Sequence, residues 1–201
     1  MSDKGRLVVI SAPSGCGKTT VIQEILARRP DFAYSVSTTT RPPRDNETEG
    51  VDYYFVTKDE FKRRIENGLF VEWELVHGHY YGTERTAVRD RLERGVNVLL
   101  DIDVNGGAHI KRLFPDSLLI FLEPPSIEEL QRRLRNRQAD DETAIARRLE
   151  RFPLEMKKGA AYQFHIVNDD LERTVKEILR IIDSQTATEK PSNDQAQYIG
   201  K

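Results

Sequence analysis

"RLVVISAPSGCGKTT", residues 6–20, decides the fold class. Its first six residues read as a buried strand, followed by a glycine-bearing turn and then a helix to about Arg29. The turn follows the phosphate-loop pattern G-x-x-x-x-G-K-[ST] at Gly17, Lys18 and Thr19, with Ala12 where the pattern asks for its first glycine. A strand that feeds such a turn into a helix aims a row of backbone N–H groups at one spot and adds the positive end of the helix dipole. In that pattern Lys18 supplies a point charge for β/γ phosphates and Thr19 a hydroxyl ligand for Mg²⁺. Alanine at position 12 is tolerable with a negative φ, because the first glycine only eases the turn, whereas Gly15 and Gly17 let backbone approach phosphate. Cys16 lies near the helix N-terminus, a place where thiols can become reactive. It reads better as the filler of a variable position; the reactive reading predicts that alkylation blocks nucleotide binding.

The rest of the chain extends this start. Short apolar runs at 6–11, 96–103, 118–123 and 164–168 alternate with helical stretches at 84–94, 104–113, 126–160 (with a break) and 170–184. Such alternation predicts a parallel sheet covered by helices. Thr57 with Glu60 and Ser126 with Glu129 have capping-box spacing, and Gly95 is placed to stop a helix before a strand. From Thr38 to Gly82 the rhythm breaks into strands that alternate apolar with polar and aromatic residues, as strands with one wet face do. This stretch reads as an inserted subdomain. The tail after Asp183 has no periodicity and is expected to be disordered.

Composition sets outer limits. The 201 residues suggest one compact domain with a small insertion; 38% are apolar and 32% charged, an ordinary globular balance. A net charge of −2 gives no global attraction to nucleic acid or an anionic membrane, so neither is an expected partner. The single cysteine cannot form an internal disulfide, and the apolar run Leu7–Ile10 is too short for a signal-peptide core or a membrane span. A cytoplasmic protein is expected.

Other polar clusters suggest chemistry. "VLLDID" ends a buried strand with Asp101 and Asp103, at the sheet edge where open α/β folds bind ligands. A carboxylate there can hold Mg²⁺ through water, and Asp101 is the better candidate; the plain alternative is that both acids cap the next helix. Arg41 and Arg44, three apart in the proline-stiffened "TTRPPR", suit one phosphate. Glu72, in "FVEWE", alternates with Val71 and Trp73 and on that ground alone reads as an exposed strand carboxylate; Glu74 shares its face. Residues 132–151 hold seven arginines, most of them expected to be solvated and paired, with Glu128→Arg132 and Glu129→Arg133 at the right spacing. His77, His79, His109 and His165 have no metal-ligand spacing and receive no catalytic role.

Three stretches, "SAPSGCGKTT", "SVSTTTRPPRDNETEGVDYYFV" and "FVEWELVHGHYYGT", together resemble guanylate kinase, the ATP-dependent GMP phosphotransferases. "LLDID", "PPS" before a helix and "IVNDD" (166–170) extend the likeness over roughly residues 5 to 184. Family loops often begin S-A-P-S-G, so Ala12 ceases to be an anomaly. The resemblance implies an α/β fold: a P-loop three-layer core with a parallel sheet (1–37, 84–125 and 157–184), an inserted mixed-β subdomain that binds the nucleoside monophosphate (38–83) and a helical lid (126–156), with 185–201 as the tail.

The resemblance also assigns residues. Ala12, Pro13, Ser14, Gly15, Cys16, Gly17, Lys18, Thr19 and Thr20 would hold ATP, with Asn168 near the adenine. Arg41 and Arg44, helped by the hydroxyls of Tyr53 and Tyr81, would hold the GMP phosphate. Glu72 would accept guanine N1–H and the 2-amino group, a pair of donors that adenine lacks. Ser37 and Thr83 would lie near O6, and Asp101 near the base or the metal. Lys18, Arg133, Arg137 and Arg148 would be catalytic, the arginines swinging over the ATP phosphates as the lid closes. Gln138 departs from a glycine common in the family, which implies a differently shaped lid turn. The implied reaction is ATP + GMP ⇌ ADP + GDP, with dGMP also accepted, Mg²⁺ accompanying ATP, and a monomer or small homo-oligomer. The competing readings are a catalytically silent guanylate-kinase-like binding module, which generally has a degraded phosphate loop, and a P-loop kinase for another small phosphate acceptor. The intact Gly17-Lys18-Thr19 and Glu72 argue against both.

Overall fold

The structure, a computed structural model, describes residues 4–45, 47–76, 78–135 and 142–187. Its centre is the strand β1 (Leu7–Ser11), every residue of which is buried. β1 lies between two parallel neighbours, β7 (Asn97–Asp101) and β8 (Leu118–Glu123), with Val8 paired to Leu99 on one side and Leu118 on the other. β2 (Phe32–Tyr34) and β9 (Phe164–Val167) complete a five-stranded parallel sheet in the order β2-β7-β1-β8-β9.

The unbroken apolar runs of β1, β7 and β8 follow from burial on both faces. Val8, Ile10, Leu99, Ile120 and Leu122 pack on one side, with Val21, Ile22 and Ile25 of α1 (Lys18–Arg28) and Val175, Ile178 and Ile182 of α7 (Leu171–Ala187). Leu7, Val9, Val98, Leu100, Leu119 and Phe121 pack on the other, with Val88 and Leu92 of α3 (Arg85–Glu93) and Val104 and Ile110 of α4 (Val104–Leu113). Because all five strands run the same way, their C-terminal ends open onto one edge.

A second sheet, four-stranded and mixed, has the order β4-β3-β6-β5. It is built from β3 (Ser37–Thr39), β4 (Tyr53–Phe55), β5 (Phe70–Val76) and β6 (His79–Glu84). The intervening helix α2 (Lys58–Glu66) begins at Thr57, whose side chain accepts from the Glu60 N–H as its capping-box spacing predicts. Phe61 of α2 stacks on Phe70 and Tyr80, at centroid distances of 4.4 and 5.3 Å, and clips the helix to that sheet.

Within the helical stretch expected at 126–160 lie α5 (Ile127–Arg135) and α6 (Glu142–Gly159), and residues 136–141 between them lie outside the described residues. Ser126 caps the first of these through the Glu129 N–H. Glu129 takes both Arg132 and Arg133, so the expected Glu128–Arg132 pair gives way to an i,i+3 contact. Gly95 has the positive φ of 77° that a helix stop favours. The short strands β2 and β3 carry no sequence expectation: each has three residues, too few for a readable period. Most of the tail, residues 188–201, lies outside the described residues, as do Arg137, Gln138 and His77. Among the described residues no helix is long and apolar enough to cross a membrane.

α6 closes against the sheet at Gly159, where an added Cβ would lie 2.3 Å from the Phe121 ring. Gly159→Ala must push a buried ring aside, and we expect a loss of about 1–3 kcal/mol, read as a lowered midpoint in thermal or urea unfolding. An unchanged midpoint would show that the helix end yields freely.

Candidate active site

One cavity of about 500 Å³ lies at the C-terminal edge of the parallel sheet. The turn between β1 and α1 forms one end of it, from Ala12 to Thr19; Ser37, Arg41, Arg44, Tyr53, Glu72 and Tyr81 of the second sheet and its loops form the other. Asp101 and Arg148 also line it. The topology brings together residues as distant in sequence as Ala12 and Arg148.

The turn is held in shape by its two glycines. Gly15 and Gly17 have φ of 91° and 84°, a region side chains rarely adopt. Space excludes a side chain as well: a Cβ at Gly15 would meet Leu134 at 2.7 Å, and one at Gly17 would meet the Asn168 amide at 2.9 Å. Ala12, at the position of the missing first glycine, is buried. Asn168 is buried and donates its side-chain amide to the Cys16 carbonyl at 2.6 Å, bracing the turn from beneath. Thr19 and Thr20 are exposed on the first turn of α1.

Lys18 Nζ lies 2.5 Å from Asp101 Oδ1 and donates to the Ile102 carbonyl at 3.1 Å. Burial works against its charge, but the Asp101 carboxylate more than offsets this and raises the ammonium above its usual range. Asp103 separates from Asp101 in role: it is the N-cap of α4 and accepts from the Asn105 N–H at 2.9 Å. The capping alternative therefore holds for Asp103 alone.

β5 reverses the expected alternation. Trp73 and Leu75 are 48% and 53% exposed, whereas Glu72 and Glu74 turn into the cavity. A register shift between Phe70 and Glu72 breaks the period, so Val71 is also buried. Thr83 lies deep in β6 and donates its hydroxyl to Glu72 Oε1 at 2.6 Å. Glu72 Oε2 lies against α4, 3.1 Å from where a Cβ on Gly106 would stand. Burial pushes the Glu72 carboxyl up to about 7, with the Thr83 bond pulling it down and Asp103 adding to the rise. Glu74 is raised first by burial and then by Asp103 beside it, and it accepts from the Asn105 amide.

The arginines divide. Arg148 of α6 reaches the turn and donates to Ser14 Oγ at 3.1 Å. Arg133 of α5 is held by Glu129 and by the Asn168 carbonyl at 2.8 and 3.0 Å. Sequence reasoning did not single out Glu155, a buried α6 carboxylate that accepts from the Ser14 N–H at 3.3 Å, or Glu47, which chelates Arg41. Glu155 sits in no motif, and Glu47, though inside a stretch that carries the family likeness, was given no role by it. Their only signal is charge, and a charge in a helix or loop is usually solvated.

Cys16 is 1% exposed, and burial pushes its thiol up to about 12, against the pull of Arg133. It is a packing residue. We expect an alkylating reagent at pH 8 to label the folded chain at least about a hundredfold more slowly than the unfolded one, because the thiolate is scarce and covered. Equal rates would overturn this.

Comparison with known proteins points to one family. The family model described as guanylate kinase matches residues 4–185. A guanylate kinase of Syntrophotalea carbinolica is 48% identical over 182 residues, 90% of this chain and 87% of that one. One of Prochlorococcus marinus subsp. pastoris is 46% identical over 184 residues, 92% of this chain and 100% of its own. The crystal structure of guanylate kinase from Anaplasma phagocytophilum superposes with a TM-score of 0.76 at 33% identity, covering 94% of this chain and 89% of that one. With a phosphate-loop turn, a parallel core and a second mixed sheet sharing one cavity, and relatives this near over most of its length, the chain belongs to the guanylate kinase family.

Proposed function

We propose that the cavity is where this chain carries out the reaction of its family, the transfer of phosphate from ATP to GMP, and that its two ends hold the two nucleotides. The observation that carries this reading is the cavity itself: a glycine-shaped phosphate loop at one end, and at the other a partly buried carboxylate and an arginine pair in the same lining. In-line phosphoryl transfer asks little covalent chemistry of a protein and depends on positioning and charge. Residues 12–20 cradle the ATP phosphates, through the backbone N–H groups of all but Pro13, which has none, and Lys18 sets its ammonium at the sheet edge, oriented by Asp101. Arg148, already at Ser14, closes over the transferring group, joined by Arg133 from α5. Arg137, which lies outside the described residues, is assigned the same work by family likeness. Asn168 supports the loop from below and so acts on ATP through Cys16 rather than by touching adenine.

At the other end Arg41 and Arg44, with the hydroxyls of Tyr53 and Tyr81, grip the acceptor's phosphate. Glu72 accepts the two guanine donors, with Thr83 orienting its carboxylate and Ser37 beside it. A site built for both bonds rejects a base lacking them by about 10⁴. Recognition through base edge and phosphate leaves dGMP a substrate too. Mg²⁺ suits oxygen donors and is commonly held by one or two protein groups plus substrate phosphates and water. The exposed Thr19 hydroxyl and Asp101, through water, would hold it here, and the ion would supply charge neutralisation on the phosphates. Residues 38–83 are then the acceptor subdomain and 126–156 the lid. We read the chain as a cytoplasmic monomer or small homo-oligomer.

The direct test is ADP release from Mg·ATP with GMP, dGMP, AMP, UMP, dTMP and a ribose bisphosphate supplied separately. Turnover confined to GMP and dGMP is expected; turnover with another acceptor would mean that the pocket has been misread. The Glu72 assignment has its own signature. Only the carboxylate accepts both guanine donors, and a group titrating at about 7 loses that form as pH falls. The KM for GMP should therefore rise about tenfold from pH 8 to pH 6. Glu72→Gln should raise it at least about tenfold at pH 8 and leave only the slope due to the phosphate of GMP itself. A Gln variant with the wild-type profile would remove Glu72 from base recognition.

A further inference from the structure

Arg41 is one of the most fully engaged side chains at the cavity. Its guanidinium has five N–H donors. Nε donates to Tyr81 Oη at 3.2 Å, and Nη1 to the Pro42 carbonyl at 2.8 Å and to Glu47 Oε2 at 2.9 Å. Nη2 donates to Glu47 Oε1 at 2.6 Å. The rings of Tyr53 and Phe55 lie 5.4 and 6.0 Å from the guanidinium carbon. Among these contacts one Nη2–H is left over.

Glu47 is correspondingly committed. Oε2 also accepts from the Arg44 N–H at 2.8 Å, so one carboxylate joins both arginines of the loop. The side chains of Arg41 and Glu47 are only 15% and 11% exposed, and the Arg41 bond holds the Glu47 carboxyl below the usual carboxylate range. This is a shielded, bidentate pair with a third donor, the geometry in which an ion pair has measurable worth. Its placement decides what it does. Arg41, Arg44, Tyr53 and Tyr81 line the cavity, whereas Glu47 is not part of its wall. Glu47 thus bonds Arg41 at its Nη1 and Nη2 edge without being one of the residues that line the cavity.

We infer that Glu47 is a positioning residue for the acceptor site: it clamps Arg41 from outside the cavity and fixes the Arg44 backbone, so that the two arginines meet the GMP phosphate already arranged. The inference rests on the reading that Arg41 and Arg44 hold that phosphate. Without the clamp, the long Arg41 side chain, beside the rings of Tyr53 and Phe55, must be ordered by the substrate, and that cost falls on binding.

The test is steady-state kinetics on Glu47→Ala, Glu47→Gln, Arg41→Ala and the Arg41→Ala/Glu47→Ala double variant. Inhibition by guanosine, which has the base and no phosphate, serves as a second readout. Glu47→Ala should raise the KM for GMP about tenfold or more, with kcat, the KM for ATP and guanosine inhibition all within about twofold to threefold of wild type. Glu47→Gln, which keeps the shape and one acceptor, should fall between wild type and Ala. In the Arg41→Ala background, Glu47→Ala should cost clearly less than it does in the wild-type background, since only its bond to the Arg44 N–H then remains to be lost. If Arg41→Ala itself leaves the KM for GMP unchanged, the phosphate-grip reading fails and the clamp with it. If Arg41→Ala raises the KM but Glu47→Ala does not, or the two effects multiply, the grip stands and the clamp is overturned. Loss of guanosine affinity in Glu47→Gln would indicate a general structural role, and tighter GMP binding would make Glu47 a competitor of the phosphate; either overturns the proposal.

Discussion

The contact between Lys18 and Asp101 ties the chemistry of the cavity to the sheet that carries it. Strands β1 and β7 run side by side with Ile10 opposite Asp101, so the carboxylate emerges where β1 has just turned into the phosphate loop. Lys18, the first residue of α1, then finds Asp101 Oδ1 at 2.5 Å. Burial alone would drive the ammonium toward its neutral form; the neighbouring carboxylate keeps it charged. A shift of one residue in the pairing of β1 with β7 would send Asp101 to the other face of the sheet. The close packing of β1 and β7 side chains against helices on both faces holds that register, so core packing sets the electrostatics of the loop.

The second sheet solves a different problem, the placement of a carboxylate where it is costly. Glu72 is held in low-dielectric surroundings, with the Thr83 hydroxyl on one oxygen and α4 close to the other at Gly106. Its raised pKa expresses that cost. The apolar residues beside it, Trp73 and Leu75, remain substantially exposed, so this sheet forgoes some burial to turn acids inward. Rules of local preference are broken where a ligand must supply the missing partners. The glycines of α4 serve the same end: Gly106 lets Glu72 approach the helix, and Gly107 leaves room for the Tyr162 ring, whose hydroxyl would lie 2.1 Å from an added Cβ.

α6 links the two ends of the cavity. Arg148 and Glu155 both bond Ser14, while Lys158 bonds Asn105 of α4, which in turn bonds Glu74 of β5. A continuous set of polar contacts thus runs from the phosphate loop through α6 and α4 to the second sheet. Each contact joins residues far apart in sequence, and each falls on a helix whose charge pattern looks like an ordinary solvated face.

What was legible in the sequence is what local chemistry encodes. The phosphate loop, the buried strands, the caps at Thr57 and Ser126 and the stop at Gly95 depend on near neighbours or on a period within one element, and the structure has them where the residues put them. Most of the proposed site residues were legible too, but through motif likeness: alternation alone sent Glu72 to solvent, and nothing local separated Asp101 from Asp103 or one lid arginine from another. The three-residue strands β2 and β3 were hidden because they are strands only by virtue of their neighbours. Tertiary structure alone decided that Asp103 caps while Asp101 pairs, that Asn168 braces the loop, that Cys16 is buried and that Glu47 holds Arg41. The physical reason is the same in each case. A side chain's charge, reach and burial are set by what other segments bring against it, and no local pattern records that.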